Sequence, residues 1–191
     1  FQEPAPPDPA TPLWAHRQLM LLRHFREGVD WWIANRQIET GEMGGGLGDD
    51  TDMIQNWPAI ALLDGPAEPI RESARRVLEA CYAQGMITAG LNTARTDPLH
   101  AYEEGMNAFG PVFLLDYGNP VIFERMMETA THYWRLTGIN AAAHRHFRSY
   151  LYSATDLVEE GYYGREDIYS HLILHPGLYV AWYNGSPRLI E

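Results

Sequence analysis

The fold is decided by the stretch from Asp50 to Tyr82, DTDMIQNWPAIALLDGPAEPIRESARRVLEACY, because the chain repeats its pattern further on. The second copy, from Glu103 to Tyr133, reads EEGMNAFGPVFLLDYGNPVIFERMMETATHY, which gives a period of about 50 residues. The matched positions are Asp50 and Glu103, Met53 and Met106, Pro58 and Pro111, Leu62-Leu63-Asp64 and Leu114-Leu115-Asp116, Pro69 and Pro120, and Tyr82 and Tyr133. A repeat of this length indicates stacked units that bury their apolar faces against their neighbours.

Each copy is predicted to be a helical hairpin, in which a helix and a tight turn precede a second helix that begins at a proline. Proline is tolerated there because the N–H that it lacks has no partner in the first turn of a helix. A third copy starts near Asp167, since Pro176 and Pro187 have the same spacing as Pro58 and Pro69. We expect repeats at about 50–97, 103–150 and 167–191, the last of them truncated.

The residues before the first repeat are predicted to form a long helix after an extended lead-in. Residues 1–12 are rich in proline, and a helical period of apolar residues runs from Leu13 to about Gln37. We therefore expect one helical-hairpin repeat domain over residues 13–191. The chain starts at Phe1 without Met, which indicates processing and favours a secreted or periplasmic location over the cytoplasm.

The predicted fold class is all-α. Helical hairpins build either an open solenoid or a closed α/α toroid, in which inner helices are surrounded by outer helices. The long and unequal loops at one end of the copies favour the α/α toroid. Two and a half hairpins and one further helix do not close a ring, so we expect an incomplete ring, with further residues or a second chain completing the fold.

Charge and composition exclude several function classes. The formal net charge of −11 argues against nucleic acid and anionic membranes as partners, because both require a basic face. All 14 basic residues are Arg, so no lysine is available for a Schiff base or a P-loop. The lone cysteine, Cys81, is expected to be a small buried hydrophobe. No apolar run approaches the roughly 20 residues that cross a bilayer.

Acidic residues recur at the start of the first helix of each hairpin. Asp49, Asp50 and Asp52 begin one such helix, and Glu103 and Glu104 begin the next. Any one of them can simply cap a helix. In a toroid, however, Asp50 and Glu103 face the same mouth of a central cleft and can act as a pair. Glycosyl transfer needs two carboxylates, about 5–5.5 Å apart in retaining enzymes and about 6.5–9.5 Å apart in inverting ones.

The same mouth gathers further polar and aromatic groups, typical of a site for an oligosaccharide or polysaccharide. Sugar rings stack on aromatic faces, and their hydroxyls bond to planar amides and carboxylates. The candidate catalytic residues are Asp50, Glu103, Asp49, His100 and Tyr102. The candidate substrate-binding residues are Arg36, Gln37, Asn56, Trp57, Asn107 and Tyr163. The plainer alternative is that Trp57 belongs to the core and that Asn56 is a satisfied polar residue.

Two other functions use the same residues differently. In a polysaccharide lyase, Tyr102 or His100 abstracts a proton beside a uronate while Arg36 or Asn107 neutralises the developing charge. The surplus of carboxylates disfavours this reaction, because they repel a uronate. In a non-catalytic helical-repeat binding module, the acids only cap helices and the rings only pack.

No metal site and no cofactor are predicted from the spacing of His and Cys residues. His144 and His146 lack the spacing of a metal pair on one helix face. The Asp-rich DDTD loop can hold Ca²⁺ through its carboxylate oxygens, so calcium is the one cofactor that remains possible.

The sequence GLGDDTDMIQNWPAIALLDG resembles the toroidal unsaturated glucuronyl and rhamnogalacturonyl hydrolases and related polysaccharide-degrading families. The resemblance extends from about Gly41 to Leu78. It implies an α/α barrel and a hydrolase of carbohydrate metabolism. It also implies that Asp50, or Asp49, is the acid/base that protonates an unsaturated sugar.

Overall fold

The computed structural model describes residues 4–6, 8–164 and 171–190 of the 191. The side chains of Tyr102, Glu103, His171 and Leu172 lie outside the described part, and so do residues 167–170, where the third repeat was predicted to begin. The chain is mostly helical, which confirms the all-α prediction. No helix in the described ranges is long and apolar enough to span a membrane.

The chain begins with one long helix, α1, from Leu13 to Asn35. Arg26 of this helix is buried and binds the turn at residues 64–66. Its Nη1 donates to the carbonyl oxygen of Asp64 at 2.6 Å and its Nη2 to that of Pro66 at 2.9 Å. Its Nε also contacts both carboxylate oxygens of Asp30 at 2.9 Å. These bonds satisfy the buried guanidinium and attach α1 to the repeats.

The first hairpin contains three α-helices. They are α2 (Leu47–Met53), α3 (Trp57–Leu63) and α4 (Glu68–Ala83), with a 3-10 turn at Ile54–Asn56 between α2 and α3. Helix α2 begins three residues before the expected Asp50, because Gly46 has a φ of 100° and ends the glycine-rich loop just ahead of Leu47. Pro58 and Pro69 stand in the first turns of α3 and α4. A short antiparallel pair, β1 (Ile87–Thr88) and β2 (Leu91–Asn92), follows α4.

The second hairpin has the same order of elements, with one further short helix, α8, before its strands. It contains α5 (His100–Glu103), a 3-10 turn at Met106–Ala108, α6 (Phe109–Leu115), α7 (Pro120–Thr131), α8 (Tyr133–Leu136) and the antiparallel strands β3 (Thr137–Ile139) and β4 (Arg145–Phe147). After 3-10 turns at Gly161–Tyr163 and His171–Leu174, the chain continues as α9 (His175–Asn184) and α10 (Pro187–Ile190).

The helices form two layers. We call α2–α3, α6 and α9 the leading helices, and α4, α7 and α10 the return helices. Helix α3 packs against α6, and α6 packs against α9, so the leading helices are neighbours in chain order. Helix α4 lies against α3 and α6, and α7 lies against α6 and α9. Helices α4 and α7 therefore each cover their own leading helix and the next one, and α10 packs against α9.

Side chains of the leading helices fill the space between the layers. Phe109 of α6 is fully buried and contacts Tyr82 of α4 edge to face, with ring centroids 6.4 Å apart. Phe113, one turn later, stacks on Tyr179 of α9 with ring centroids 4.3 Å apart. Burial of such rings contributes about 1.5–3 kcal/mol each relative to exposure. The core thus sets the relative positions of the ends of the leading helices, where the acidic residues lie.

Candidate active site at the ends of the leading helices

The loop before α2 is built by glycines. Gly44 and Gly46 have φ values of 99° and 100°, which residues with a side chain rarely adopt. A Cβ on Gly44 would lie 3.0 Å from a guanidinium nitrogen of Arg36, so the loop backbone and that side chain are in close contact. Met43 is fully buried, whereas residues 44–46 are exposed. The loop therefore exposes its backbone beside the start of α2.

Asp50 lies beneath this loop. Its side chain is only 2% exposed, and its Oδ2 accepts a hydrogen bond from the Met43 backbone N–H at 2.8 Å. Burial raises the pKa of Asp50, the bonds from the Met43 and Gly45 amides lower it in part, and the negative charges of Glu42 and Asp49 raise it further. The predicted catalytic Asp50 thus reaches the loop backbone and has almost no contact with solvent.

Asp52 occupies a different environment. The residue is exposed, and its Oδ1 accepts hydrogen bonds from the Asn107 side-chain amide and, at 3.1 Å, from Gln55. Partial burial of the carboxyl group raises its pKa, the Asn107 bond lowers it, and the charge of Asp49 raises it again. A carboxyl with a raised pKa that remains accessible is suited to donating a proton.

Asn107 joins the second hairpin to this carboxyl. Only 3% of Asn107 is exposed, and its Nδ2 donates to Asp52 from the 3-10 turn before α6. Its Oδ1 is buried and has no hydrogen-bond partner among the described residues. Buried polar groups without partners are uncommon, and they mark sites where a ligand or water completes the bonding.

Further contacts join the residues that follow α5 to helix α2. The Gly105 backbone N–H donates to Thr51 Oγ1 at 3.3 Å, and that hydroxyl donates to the Gly48 carbonyl at 2.7 Å. The Glu104 side chain lies against Gly48, where a Cβ would come within 3.1 Å of its Cγ. The small residue at this position therefore lets a carboxylate from the second hairpin approach the first.

His100 of α5 interacts with two acidic residues. Its Nδ1 lies 2.6 Å from Asp97 Oδ2, and its charge lowers the pKa of Asp52. For Asp97 itself, burial raises the pKa, but the hydrogen bonds from the His100 backbone and ring outweigh it and lower the pKa. We call Asp49, Asp52, His100, Glu104 and Asn107 the acidic rim. Asp49 is exposed on α2, one helical turn before Asp52.

Several predicted binding residues lie elsewhere. Gln37 donates to the backbone oxygens of Gly41 at 3.0 Å and Ser73 at 3.1 Å, which attaches the end of α1 to α4. Trp57 is buried, with 4% exposed, as the alternative core interpretation expects. Tyr163 stacks on Tyr150, with ring centroids 6.2 Å apart.

Arg36 and Asn56 complete the set. Arg36 lies over the Trp32 ring, 5.6 Å from its centroid, and lines a cleft of about 390 Å³ together with Glu42 and Gly44. Asn56 is exposed at the end of the 3-10 turn before α3. In the described part of the chain, no hydrogen bond, ion pair or ring contact joins Arg36, Gln37, Trp57 or Tyr163 to the acidic rim.

The structure thus brings together Asp49, His100 and Asn107 of the predicted set. The backbones of Tyr102 and Glu103 lie in α5 beside them, although their side chains are outside the described part. Asp52 and Glu104 are not among the predicted site residues, because an acid at the start of a helix can simply cap it. The spacing of Asp52, three residues after Asp49, was the available signal, because residues three apart share one face of a helix.

Among the described residues, no three His, Cys, Asp or Glu side chains are grouped so that they could hold a metal ion. Comparison of the chain with protein-family models, with curated proteins and with solved structures found no match. The site therefore has to be interpreted from its own geometry.

Proposed function

We propose that this chain is a carbohydrate-active enzyme, a glycoside hydrolase whose catalytic carboxylates belong to the acidic rim. The observation that carries the proposal is the Asp52 carboxyl, which is accessible, has a raised pKa and is bonded by a buried asparagine of the next hairpin. Two neighbouring carboxyl groups in different environments can divide the acid and base roles between them.

Asp52 is the general acid and Asp49 the nucleophile in this mechanism. Residues three apart on a helix have Cβ atoms about 5–6 Å apart, which is close to the separation of about 5–5.5 Å between carboxyl groups in retaining glycosidases. Asp52 donates its proton to the leaving oxygen while the Asp49 carboxylate attacks the anomeric carbon. Water then hydrolyses the glycosyl ester, with Asp52 acting as base.

Asp50 is a positioning residue in the same proposal. Its buried carboxylate binds the Met43 amide, so it holds the glycine loop against the start of α2. It also lies next to Asp49 in the chain, and its position determines where α2 presents both rim carboxylates. The acid/base role expected for Asp50 is therefore assigned to Asp52.

Asn107 and His100 support the rim carboxylates in this mechanism. The Nδ2 of Asn107 donates to Asp52 and so orients its carboxyl group. His100 adds a positive charge that offsets part of the repulsion among the rim carboxylates. We further propose that the leading helices are the inner helices of an α/α toroid, because they are neighbours in one layer and the return helices cover them.

A polysaccharide lyase is the second candidate, with His100 as the base. Its favouring observation is the short contact between His100 Nδ1 and Asp97, which orients an imidazole beside the rim. The carboxylates at the rim disfavour it, since a uronate would approach Asp49, Asp52 and Glu104 together. A non-catalytic binding module is the remaining alternative. It needs no proton transfer, and it would bind a sugar without turnover.

The test is a panel of neutral and acidic oligosaccharides, with products measured as reducing ends and as the ultraviolet absorbance of an unsaturated sugar. We expect reducing ends from a neutral substrate, and we expect Asp52→Asn to lower kcat about 10²–10⁴-fold because the general acid is lost. Glu124→Gln, which removes an exposed carboxylate of α7 far along the chain, is the matched control and should leave kcat unchanged.

Circular dichroism of each variant separates lost chemistry from lost folding. New reducing ends accompanied by ultraviolet absorbance would assign the chain to the lyases, because β-elimination releases a reducing end and also leaves an unsaturated uronate. Reducing ends without that absorbance are the result expected of a hydrolase. Sugar binding by the wild type without any turnover would instead support a non-catalytic binding module. Equal turnover by wild type and Asp52→Asn would remove Asp52 from the mechanism.

A further inference from the structure

A second cavity lies between α7–α8, the β3–β4 hairpin and α9–α10. Its volume is about 780 Å³, within the range of small-molecule sites. We call it the C-terminal pocket. It shares no lining residue with the acidic rim. Its walls are mainly apolar, and they include Trp134, Phe147, Leu178 and Ile190.

The polar groups of this pocket are all neutral or basic. They are Thr137, Arg145, His146 and Arg188. No Asp or Glu lines the described pocket, although the chain carries 25 acidic residues and a net charge of −11. Two arginines without a carboxylate, on an apolar wall of an acidic protein, create a local positive potential that favours an anionic ligand.

Arg145 is held in place before any ligand binds. Its guanidinium lies over the Trp134 ring, 4.5 Å from the centroid, and its Nη1 donates to Thr137 Oγ1 at 3.0 Å. That hydroxyl in turn donates to the Tyr133 carbonyl at 2.6 Å. The ring and the hydroxyl fix the plane of the guanidinium and leave its other N–H groups available. A pre-oriented guanidinium binds a carboxylate through two parallel hydrogen bonds.

Arg188 approaches the pocket from α10. No hydrogen bond or ion pair joins it to another residue within the described ranges, so its guanidinium has not been neutralised there. The exposed apolar surface beside it is large, because Leu178 is 57% and Ile190 is 69% exposed. An apolar body of moderate length that carries one carboxylate would cover this surface and place its charge between the two arginines.

We propose that the C-terminal pocket binds a small carboxylate with an apolar body, of the class of medium-chain carboxylates. The proposal is independent of the hydrolase activity, since no acidic-rim residue takes part. Decanoate is the probe, and decyltrimethylammonium is the control ligand because it has a tail of the same length and the opposite charge. Both are titrated below their micellar concentrations and measured by isothermal titration calorimetry.

We expect decanoate to bind at one site per chain, and at least about tenfold more tightly than the cationic probe. Arg145→Gln combined with Arg188→Gln should abolish this preference, and Arg188→Gln alone should reduce it. Arg23→Gln, which removes an exposed arginine of α1, is the matched control and should preserve it. Asp52→Asn should bind decanoate as the wild type does, whatever its effect on turnover.

Equal affinity for the two probes would overturn the proposal, because tail burial alone would then explain binding. Retention of the preference by the double arginine variant would overturn it as well. Binding of many decanoate molecules per chain, with no saturable site, would show detergent-like adsorption instead of a pocket. Circular dichroism checks that each variant is folded. If the double variant does not fold, the Arg188→Gln variant tests the proposal in its place.

Discussion

Asn107 donates a hydrogen bond from its side-chain amide to Asp52 Oδ1, and this bond joins the start of one leading helix to the start of the next. The two residues are far apart in sequence and belong to different hairpins. Asn107 is almost fully buried, so the bond is formed at the edge of the protein interior, where electrostatic interactions are stronger than in water.

The first prediction concerns this bond. The amide of Asn107 lowers the pKa of Asp52 by stabilising its charged form, so Asn107→Ala should raise that pKa above its already raised wild-type position. The measurement is an NMR titration of the Asp52 carboxyl carbon in both proteins. Asn56→Ala, at an exposed asparagine one turn further along, should leave the titration unchanged. A lower pKa in Asn107→Ala would contradict the assigned hydrogen bond.

The second prediction concerns pH and Asp50. Burial raises its folded pKa above the ordinary value of 3.8, so the fold favours the neutral carboxyl. Its contribution to stability is therefore present below about the unfolded pKa and is lost as the pH rises through the folded pKa. The difference in unfolding free energy, wild type minus Asp50→Asn, should fall as the pH rises above 3.8 and then become constant.

Chemical denaturation at a series of pH values measures this difference. Subtracting the Asp50→Asn values removes the titrations that the two proteins share, including that of Asp52. A difference that increases with pH would mean that the fold stabilises the ionised carboxylate, contrary to the burial of Asp50.

The third prediction concerns Gly177 of α9, which contacts Tyr133. A Cβ at this position would lie 2.7 Å from the Tyr133 hydroxyl, which accepts from the Gly177 amide at 2.9 Å and donates to the Ile173 carbonyl at 2.6 Å. Gly177→Ala should therefore lower the free energy of unfolding by about 1–3 kcal/mol, because α9 has to move away from α8.

Gly28→Ala is the matched control for that substitution. Gly28 also lies inside a helix, but a Cβ there meets nothing within 4 Å. Alanine should raise stability at this position by about 0.5–1 kcal/mol, since it restricts the unfolded chain without a clash. Thermal and urea unfolding of both variants should thus give shifts of opposite sign, and shifts of the same sign would refute the contact between Gly177 and Tyr133.

The fourth prediction concerns Cys81, which is fully buried in α4. Burial raises the pKa of its thiol to about 12, so almost no thiolate exists at neutral pH in the folded protein. We expect a thiol reagent such as dithionitrobenzoate to label the chain only after denaturation. Labelling at the rate of a free thiol in buffer, with the circular dichroism spectrum unchanged, would contradict the packing of α4.

The helices could be predicted because their signals are local. Pro58, Pro69 and Pro120 stand in the first turns of helices, where proline is tolerated, and the apolar period between them identifies the buried faces. The two β-hairpins were not predicted. The strands at Ile87–Thr88 and Leu91–Asn92 are two residues long, too short for an alternating pattern to be visible.

The amino-acid sequence by itself determined that the chain folds into helical hairpins and that acidic residues gather at the starts of the leading helices, because helix signals and caps depend on neighbours a few residues away. Only the tertiary structure decided which carboxyl is buried and which is accessible. Asp50 and Asp52 are two residues apart and chemically identical, yet one binds the glycine loop from within and the other meets Asn107 at the surface. Burial depends on distant packing partners, and it therefore emerges only when the hairpins stack.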